Sequence, residues 1–333
     1  MVKALIIGAT GQQGGATARA LIGAGHEVHA LTRDPTSAAA RALAAQGATL
    51  FKGHTSDRTS LQAAAAGTSA VFFASLPSLE DMGEEVIGAR NIVAAAIAER
   101  STVRHLVYST TYATDRVCAG GLELWDRNAF MKMYWENKIK GEEAVRAAAA
   151  STPPSGNDGV DDAPKLTYTI LRPVEFMSNF VPPLASYQFP DMTSATGTWE
   201  SAFPADFANL YVDPRDVGRV AAAAIVDPAR WAGREVDVVG DRVAVGEVVE
   251  MVGRAAGRAL RLRSLSRDEA LRRGEHENLL LIGQLLRMDI AARDPGYAER
   301  PLEDFGLAPP FRTLSEFLED RKEVVAEAYR NVE

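Results

Sequence analysis

The stretch that decides the fold is Ala4-Leu-Ile-Ile7-Gly8-Ala-Thr-Gly11-Gln-Gln-Gly14-Gly15-Ala16. The apolar run between Lys3 and Gly8 reads as a β-strand, and the Ala/Leu-rich segment 16–24, ended by Gly25, reads as a helix. Gly8 lets the strand turn sharply. Gly11 lets backbone approach a ligand with no Cβ in the way, and Gly14 lets the helix pack close to the sheet. The helix N-terminus then offers backbone N–H groups and a positive dipole end to an anion. A tight turn that binds nothing would need similar glycines. The position directly after the first strand, opening a helix, points instead to the pyrophosphate of a dinucleotide. Gly8, Thr10, Gly11, Gln12, Gln13 and Gly14 are the expected contacts.

Working outward, strands are expected at 27–32, 48–52, 70–74 and 105–109, with helices at 37–45, 60–66 and 84–99. Strict alternation of strand and helix implies a parallel sheet with helices on both faces, an α/β doubly wound Rossmann sheet. A long helix follows at 131–150, then a Pro/Gly/Asp-rich surface loop at 151–164 and a strand at 166–171 stopped by Pro173. Residues 174–210 are aromatic and poorly periodic. A helix at 217–226 and a strand at 235–239 return to the sheet. Beyond them lie a helix at 247–256, a strand at 260–265 and mainly helical sequence. The expected division is a dinucleotide-binding domain of residues 1–172 plus 211–243, and a smaller, mostly helical substrate lobe of residues 173–210 plus 244–333.

The chain of 333 residues has a net charge of −8. Such a balance opposes sequence-independent binding to a phosphate backbone, so no nucleic-acid partner is expected. Its single cysteine, Cys118, excludes an internal disulfide and fits a reducing, cytoplasmic setting. The five histidines form no metal-binding pattern, and no metal site is expected. No apolar run reaches about 18 residues, and residues 1–8 lack a basic leader, so neither a membrane span nor a signal peptide is expected.

Strand two ends Leu31-Thr32-Arg33-Asp34-Pro35. An acid at its end would bond a ribose 2′-hydroxyl, whereas an arginine pairs with a 2′-phosphate. Arg33 holds the selecting position with Thr32 beside it, which favours NADP(H); a solvated Arg33 would leave the site to NAD. Further on, Tyr134-Trp-Glu-Asn-Lys138 puts Tyr and Lys four residues apart on one helix face. Carbonyl reduction needs a proton donor, which a Tyr hydroxyl beside an ammonium can supply, and the same Lys can hold the cofactor ribose. Of the hydroxyls ending strand five, Thr111 is chosen to complete the set, because it lies furthest toward the carboxyl edge. Ser75 and Leu76, in the loop after strand four, are expected to border the nicotinamide.

The GxxGxxG spacing resembles that of short-chain dehydrogenases. Together with Leu31-Thr-Arg33-Asp-Pro and Ile170-Leu-Arg-Pro173-Val-Glu-Phe176-Met-Ser-Asn179-Phe180, it resembles the NmrA-like family over roughly residues 1–260. The resemblance implies a Rossmann domain with a small C-terminal lobe and preference for NADP(H). It further implies Arg33 on the 2′-phosphate and Lys138 near the nicotinamide ribose. Members of that family divide between NADP(H) sensors that bind a regulatory protein and reductases that transfer hydride. This chain departs from the sensors in keeping Tyr134. It also departs from the family's usual Gly-Asp after strand three, having Gly53-His54, with Asp57 nearby to take the adenine contact.

Phe176, Asn179 and Phe180 are expected to contact a small, largely apolar substrate, although most aromatics of 176–211 are expected to form core. Three functions follow. The first is an NADPH-dependent reductase of a carbonyl, imine, enone or quinone. The second is a non-catalytic NADP(H) redox sensor that regulates a protein partner. The third is an NADP-binding scaffold whose small lobe forms a homodimer.

Overall fold

The computed structural model describes residues 1–74, 83–118, 120–151, 165–294, 297 and 305–333. In chain order it contains β1 (Lys3–Ile7), α1 (Gln12–Gly23), β2 (Glu27–Thr32), α2 (Ala38–Ala45), β3 (Thr49–Lys52), α3 (Arg58–Ala65), β4 (Ala70–Ala74), α4 (Glu84–Ala96), β5 (His105–Ser109), α5 (Thr114–Cys118) and α6 (Ala129–Ser151). There follow β6 (Thr167–Pro173), β7 (Glu175–Phe176), a 3₁₀ turn (Met177–Phe180), α7 (Leu184–Gln188), β8 (Thr198–Ser201), β9 (Ala208–Val212), α8 (Pro214–Val226), α9 (Pro228–Trp231), β10 (Arg234–Val238), β11 (Asp241–Ala244), α10 (Val245–Ala256) and β12 (Arg261–Ser264). The chain closes with α11 (Arg267–His276), α12 (Leu280–Ala292), α13 (Leu314–Asp320) and α14 (Lys322–Ala328). The loop expected at 151–164 lies, from residue 152, outside the described residues. No described helix is long and apolar enough to cross a membrane.

Two compact units emerge. The first comprises Met1–Thr114, Tyr134–Pro173 and Pro214–Asp237. Its seven-stranded sheet has the order β10-β6-β5-β4-β1-β2-β3, and the neighbours from β6 across to β3 all pair in parallel. β1, β4 and β5 are almost wholly buried, as a parallel sheet covered on both faces requires. Leu5, Ile7, Val71, Phe73, Leu106 and Tyr108 pack with Leu61 of α3, Ile92 of α4 and Val145 of α6. The alternate residues Ile6, Phe72 and Val107 are equally buried and belong to the opposite face, where α1 packs with α8.

The second unit comprises Asp115–Met133, Val174–Asp213 and Val238–Glu333. It is more sheet-rich than the sequence suggests. β9 pairs antiparallel with β11 and parallel with β7, and β8 pairs with β12. Strands of two to five residues are too short to display a period of two, which is why the 174–210 region gives no strand signal. Segment 115–133 groups with this unit rather than with the first. Its core joins Phe180, Phe189, Trp199 and Tyr211 to Val248 of α10 and Phe317 of α13.

Within the sheet of the first unit, His105 is 1% exposed, with Nδ1 2.8 Å from Thr167 Oγ1 and Nε2 3.0 Å from Thr169 Oγ1. Burial pushes its imidazole down from 6.5 to about 4. The unfolded chain therefore takes up this proton first, so the contribution is complete above pH 6.5 and is lost as pH falls through about 4. The loss amounts to about 3 kcal/mol. Denaturant midpoints measured against pH should fall across this window, and His105→Gln should flatten the fall. An unchanged slope in that variant would assign the acid sensitivity elsewhere.

Candidate active site

The glycine turn between β1 and α1 is built by close contact. Gly8 has φ +72° and Gly11 N–H donates to its carbonyl at 2.9 Å. A Cβ on Gly14 would stand 2.4 Å from Gly8 O and 2.7 Å from Gly8 C, where only backbone could give way. Thr10, Gly11 and Gln12 are exposed and Gln13 is half-buried. No side chain caps α1 at Gly11 and no acid stands in its first turn. The cradle thus fits an anionic group approaching the first turn of α1.

At the carboxyl end of β2, Thr32 is buried and Arg33 exposed. The carboxylate of Asp34 accepts from Thr36 N at 2.8 Å and Thr36 Oγ1 at 2.6 Å, and these bonds hold it below the usual carboxylate range. Oδ1 of the acid following Arg33 is thus engaged by its own turn, while Arg33 itself is exposed. Lys52 is paired beside Thr32 in register and is also exposed. His54 Nδ1 lies 2.8 Å from Ser56 Oγ, and its Nε2 3.3 Å from Glu84 Oε1. Asp57, the residue expected near the adenine, serves as a helix cap. Its Oδ1 caps α3, accepting from Thr59 N at 3.0 Å and Ser60 N at 3.3 Å.

The carboxyl end of β5 carries three consecutive hydroxyls with different partners. Ser109 Oγ donates to Gln13 Oε1 at 2.6 Å, linking β5 to the glycine turn. Thr110 Oγ1 is buried and donates to Glu142 Oε1 at 2.9 Å. Thr111 Oγ1 accepts from Tyr134 OH at 3.4 Å. The Nζ of Lys138 lies 5.1 Å from the centroid of the Tyr134 ring. Thr111, Tyr134 and Lys138 are thus brought together at one end of the sheet, where ligands of such folds sit. Lys138 also has a partner that the sequence did not disclose. Its side chain is 2% exposed and ion-paired with Glu85, 0% exposed, in the first turn of α4. The only sequence trace of this is the acidic pair Glu84-Glu85 at a helix start, which reads simply as favourable to the helix dipole.

In the second unit Phe176 and Asn179 are half-buried. Phe180 is not a surface contact: it is 0% exposed, stacked on Phe189 at 4.8 Å and edge-on to Trp199 at 6.5 Å. A ring of that size contributes more by filling the core than by lining a wall. Ser75 and Leu76 lie outside the described residues.

The sequence model of the NmrA-like family matches residues 2–318. The NmrA-like family domain-containing oxidoreductase notA of Aspergillus sp. (strain MF297-2) is 36% identical over 127 residues, spanning 34% of this chain and 35% of that protein. The chain thus aligns with about a third of that relative's length. The (4-alkanoyl-5-oxo-2,5-dihydrofuran-3-yl)methyl phosphate reductase of Streptomyces griseus is 30% identical over 267 residues, covering 80% of this chain and 78% of that one. Among solved structures, the negative transcriptional regulator NmrA superposes with a TM-score of 0.71 at 18% identity, over 98% of this chain and 97% of that one. Its complex with NADP gives 0.68. At that identity the likeness establishes the fold.

Proposed function

This chain belongs to the NmrA-like family, and we propose that it binds NADP(H) and reduces a small, largely apolar carbonyl, imine, enone or quinone. The observation that carries the reading is the grouping of Tyr134, Thr111 and Lys138 at the carboxyl end of β5. Bound NADPH supplies the hydride. Tyr134 supplies the proton from its hydroxyl, Thr111 orients that hydroxyl, and Lys138 holds the cofactor ribose. Gly8, Gly11 and Gly14, with Thr10, Gln12 and Gln13, take the pyrophosphate, and Ser109 fixes the amide of Gln13. Arg33 takes the 2′-phosphate. The Streptomyces relative's name describes an unsaturated lactone, which supports the enone class. The test is NADPH absorbance followed against quinones, ketones, imines and enones. Silence throughout, with tight NADP(H) binding retained, would support the other reading, a redox sensor for a protein partner. That reading draws on the engagement of Lys138 by Glu85, which ties the ammonium to a structural partner.

The choice of NADP(H) has its own measurement. Arg33→Ala is expected to raise the Kd for NADPH about 10–100-fold, the loss of a hydrogen-bonded ion pair to phosphate. The Kd for NADH should stay where it was. Equal losses for both cofactors would remove Arg33 from the 2′-phosphate.

A further inference from the structure

Two buried glutamates of the first unit are treated in opposite ways. Glu142, on α6, has both carboxylate oxygens satisfied. Oε1 accepts from Thr110, Thr114 and Arg172 Nε, and Oε2 accepts from Arg146 and Arg172 Nη2. Glu85 is buried as completely, yet only its Oε1 is engaged, by Lys138, while Oε2 has no partner among the described residues. Taking a carboxylate out of water is costly, and leaving one of its oxygens unsatisfied adds to that cost. The dipole of α4 favours a negative charge at this position but gives Oε2 no donor. A purely structural pair would be closed as Glu142 is closed.

The place of the open oxygen indicates what it is kept for. β4 lies between β1 and β5 in the sheet, and α4 is the helix that follows it. Glu85 is therefore tied through Lys138 to the group formed by Tyr134 and Thr111, at the sheet end that also carries the glycine turn. An ionised carboxylate only accepts, whereas an ammonium only donates. A carboxylate and an ammonium side by side are complementary to a vicinal diol, whose hydroxyls can donate to one and accept from the other. We propose that Glu85 is a cofactor-binding residue whose Oε2 accepts a hydrogen bond from a hydroxyl of the nicotinamide-side ribose, with Oε1 retained by Lys138. The proposal rests on the NADP(H) reading above and adds to it the residue that recognises the ribose as a diol.

The test is binding, not turnover. Kd values are measured for NADPH, for an NADPH analogue whose nicotinamide-side ribose lacks its hydroxyls, and for 2′,5′-ADP, which carries only the adenosine half. The wild-type protein is expected to bind the deoxy analogue at least about 10-fold more weakly than NADPH. In Glu85→Gln that discrimination should shrink about 10-fold, through weaker NADPH binding, with 2′,5′-ADP unaffected. Glu85→Asp keeps the charge beside Lys138 and withdraws the oxygens by one methylene; it should give the same loss, and serves if the glutamine variant does not fold. Discrimination unchanged in these variants, or equal weakening of all three ligands, overturns the role of Glu85 while leaving cofactor binding intact. Absence of both NADPH and 2′,5′-ADP binding in the wild type overturns the cofactor reading and this proposal together.

Discussion

Replacing Tyr134 by phenylalanine is expected to lower NADPH-dependent turnover about 10²–10⁴-fold, the usual worth of a positioned proton donor. The substitution removes one oxygen and keeps the ring that lies 5.1 Å from Lys138 Nζ and edge-on to Trp135. Among the described residues the hydroxyl makes one long hydrogen bond, 3.4 Å to Thr111, so stability should change by no more than about 1 kcal/mol. NADPH affinity should be unchanged, because the proposed cofactor contacts lie on other residues. The informative experiment is steady-state turnover beside a Kd measured by fluorescence. Turnover unaltered with cofactor still bound would take Tyr134 out of the chemistry and move the protein toward the sensor reading.

Glu142→Ala is expected to destabilise the first unit by about 3–5 kcal/mol, the range for removing one member of a buried ion network. Its two oxygens join β5, α6 and β6. Thr110 and Thr114 donate at 2.9 and 2.7 Å, Arg172 at 3.1 and 2.8 Å, and Arg146 at 2.7 Å. Without it Arg172, 4% exposed, still has Glu235 of β10 at 2.6 Å. Glu235 is itself held below the usual carboxylate range, first by its hydrogen bond from Arg146. That retained carboxylate beside the guanidinium of Arg172 places the effect at the lower end of the range. Urea unfolding gives the measure. A double variant in which Glu142→Leu accompanies Arg172→Met should recover part of the loss, since two matched apolar groups carry no unpaired charge. A single variant as stable as the parent would mean that the network adds nothing to the fold.

Much of the first unit is legible in the sequence alone. Strands two, four and five fall on the expected residues, because a covered parallel sheet demands continuous apolar runs bounded by glycines and caps. The glycine turn was legible for the same local reason: Gly8 and Gly14 touch each other six residues apart, and a Cβ at Gly14 would collide with the turn's own backbone. The i, i+4 spacing put Tyr134 and Lys138 on one helix face, and position toward the carboxyl edge of strand five selected Thr111, which is where Tyr134 finds its hydroxyl partner.

What the sequence determined by itself was therefore what short-range geometry dictates: the βαβ alternation, the phosphate cradle, and the Tyr134–Lys138 spacing. Tertiary structure alone decided the partners that arrive from far along the chain. Glu85 reaches Lys138 across 53 residues, Ser109 reaches Gln13 across 96, and Glu142 receives Arg172 across 30. It also decided that Phe180 is core and that Asp57 is a helix cap. A buried charge is stable only beside a compensating one, and a polar residue's spacing along the chain carries no record of which distant strand or helix will supply it. The chain alone thus announces the glycine cradle at Gly8–Gly14, while the folded sheet determines which side chains stand around it.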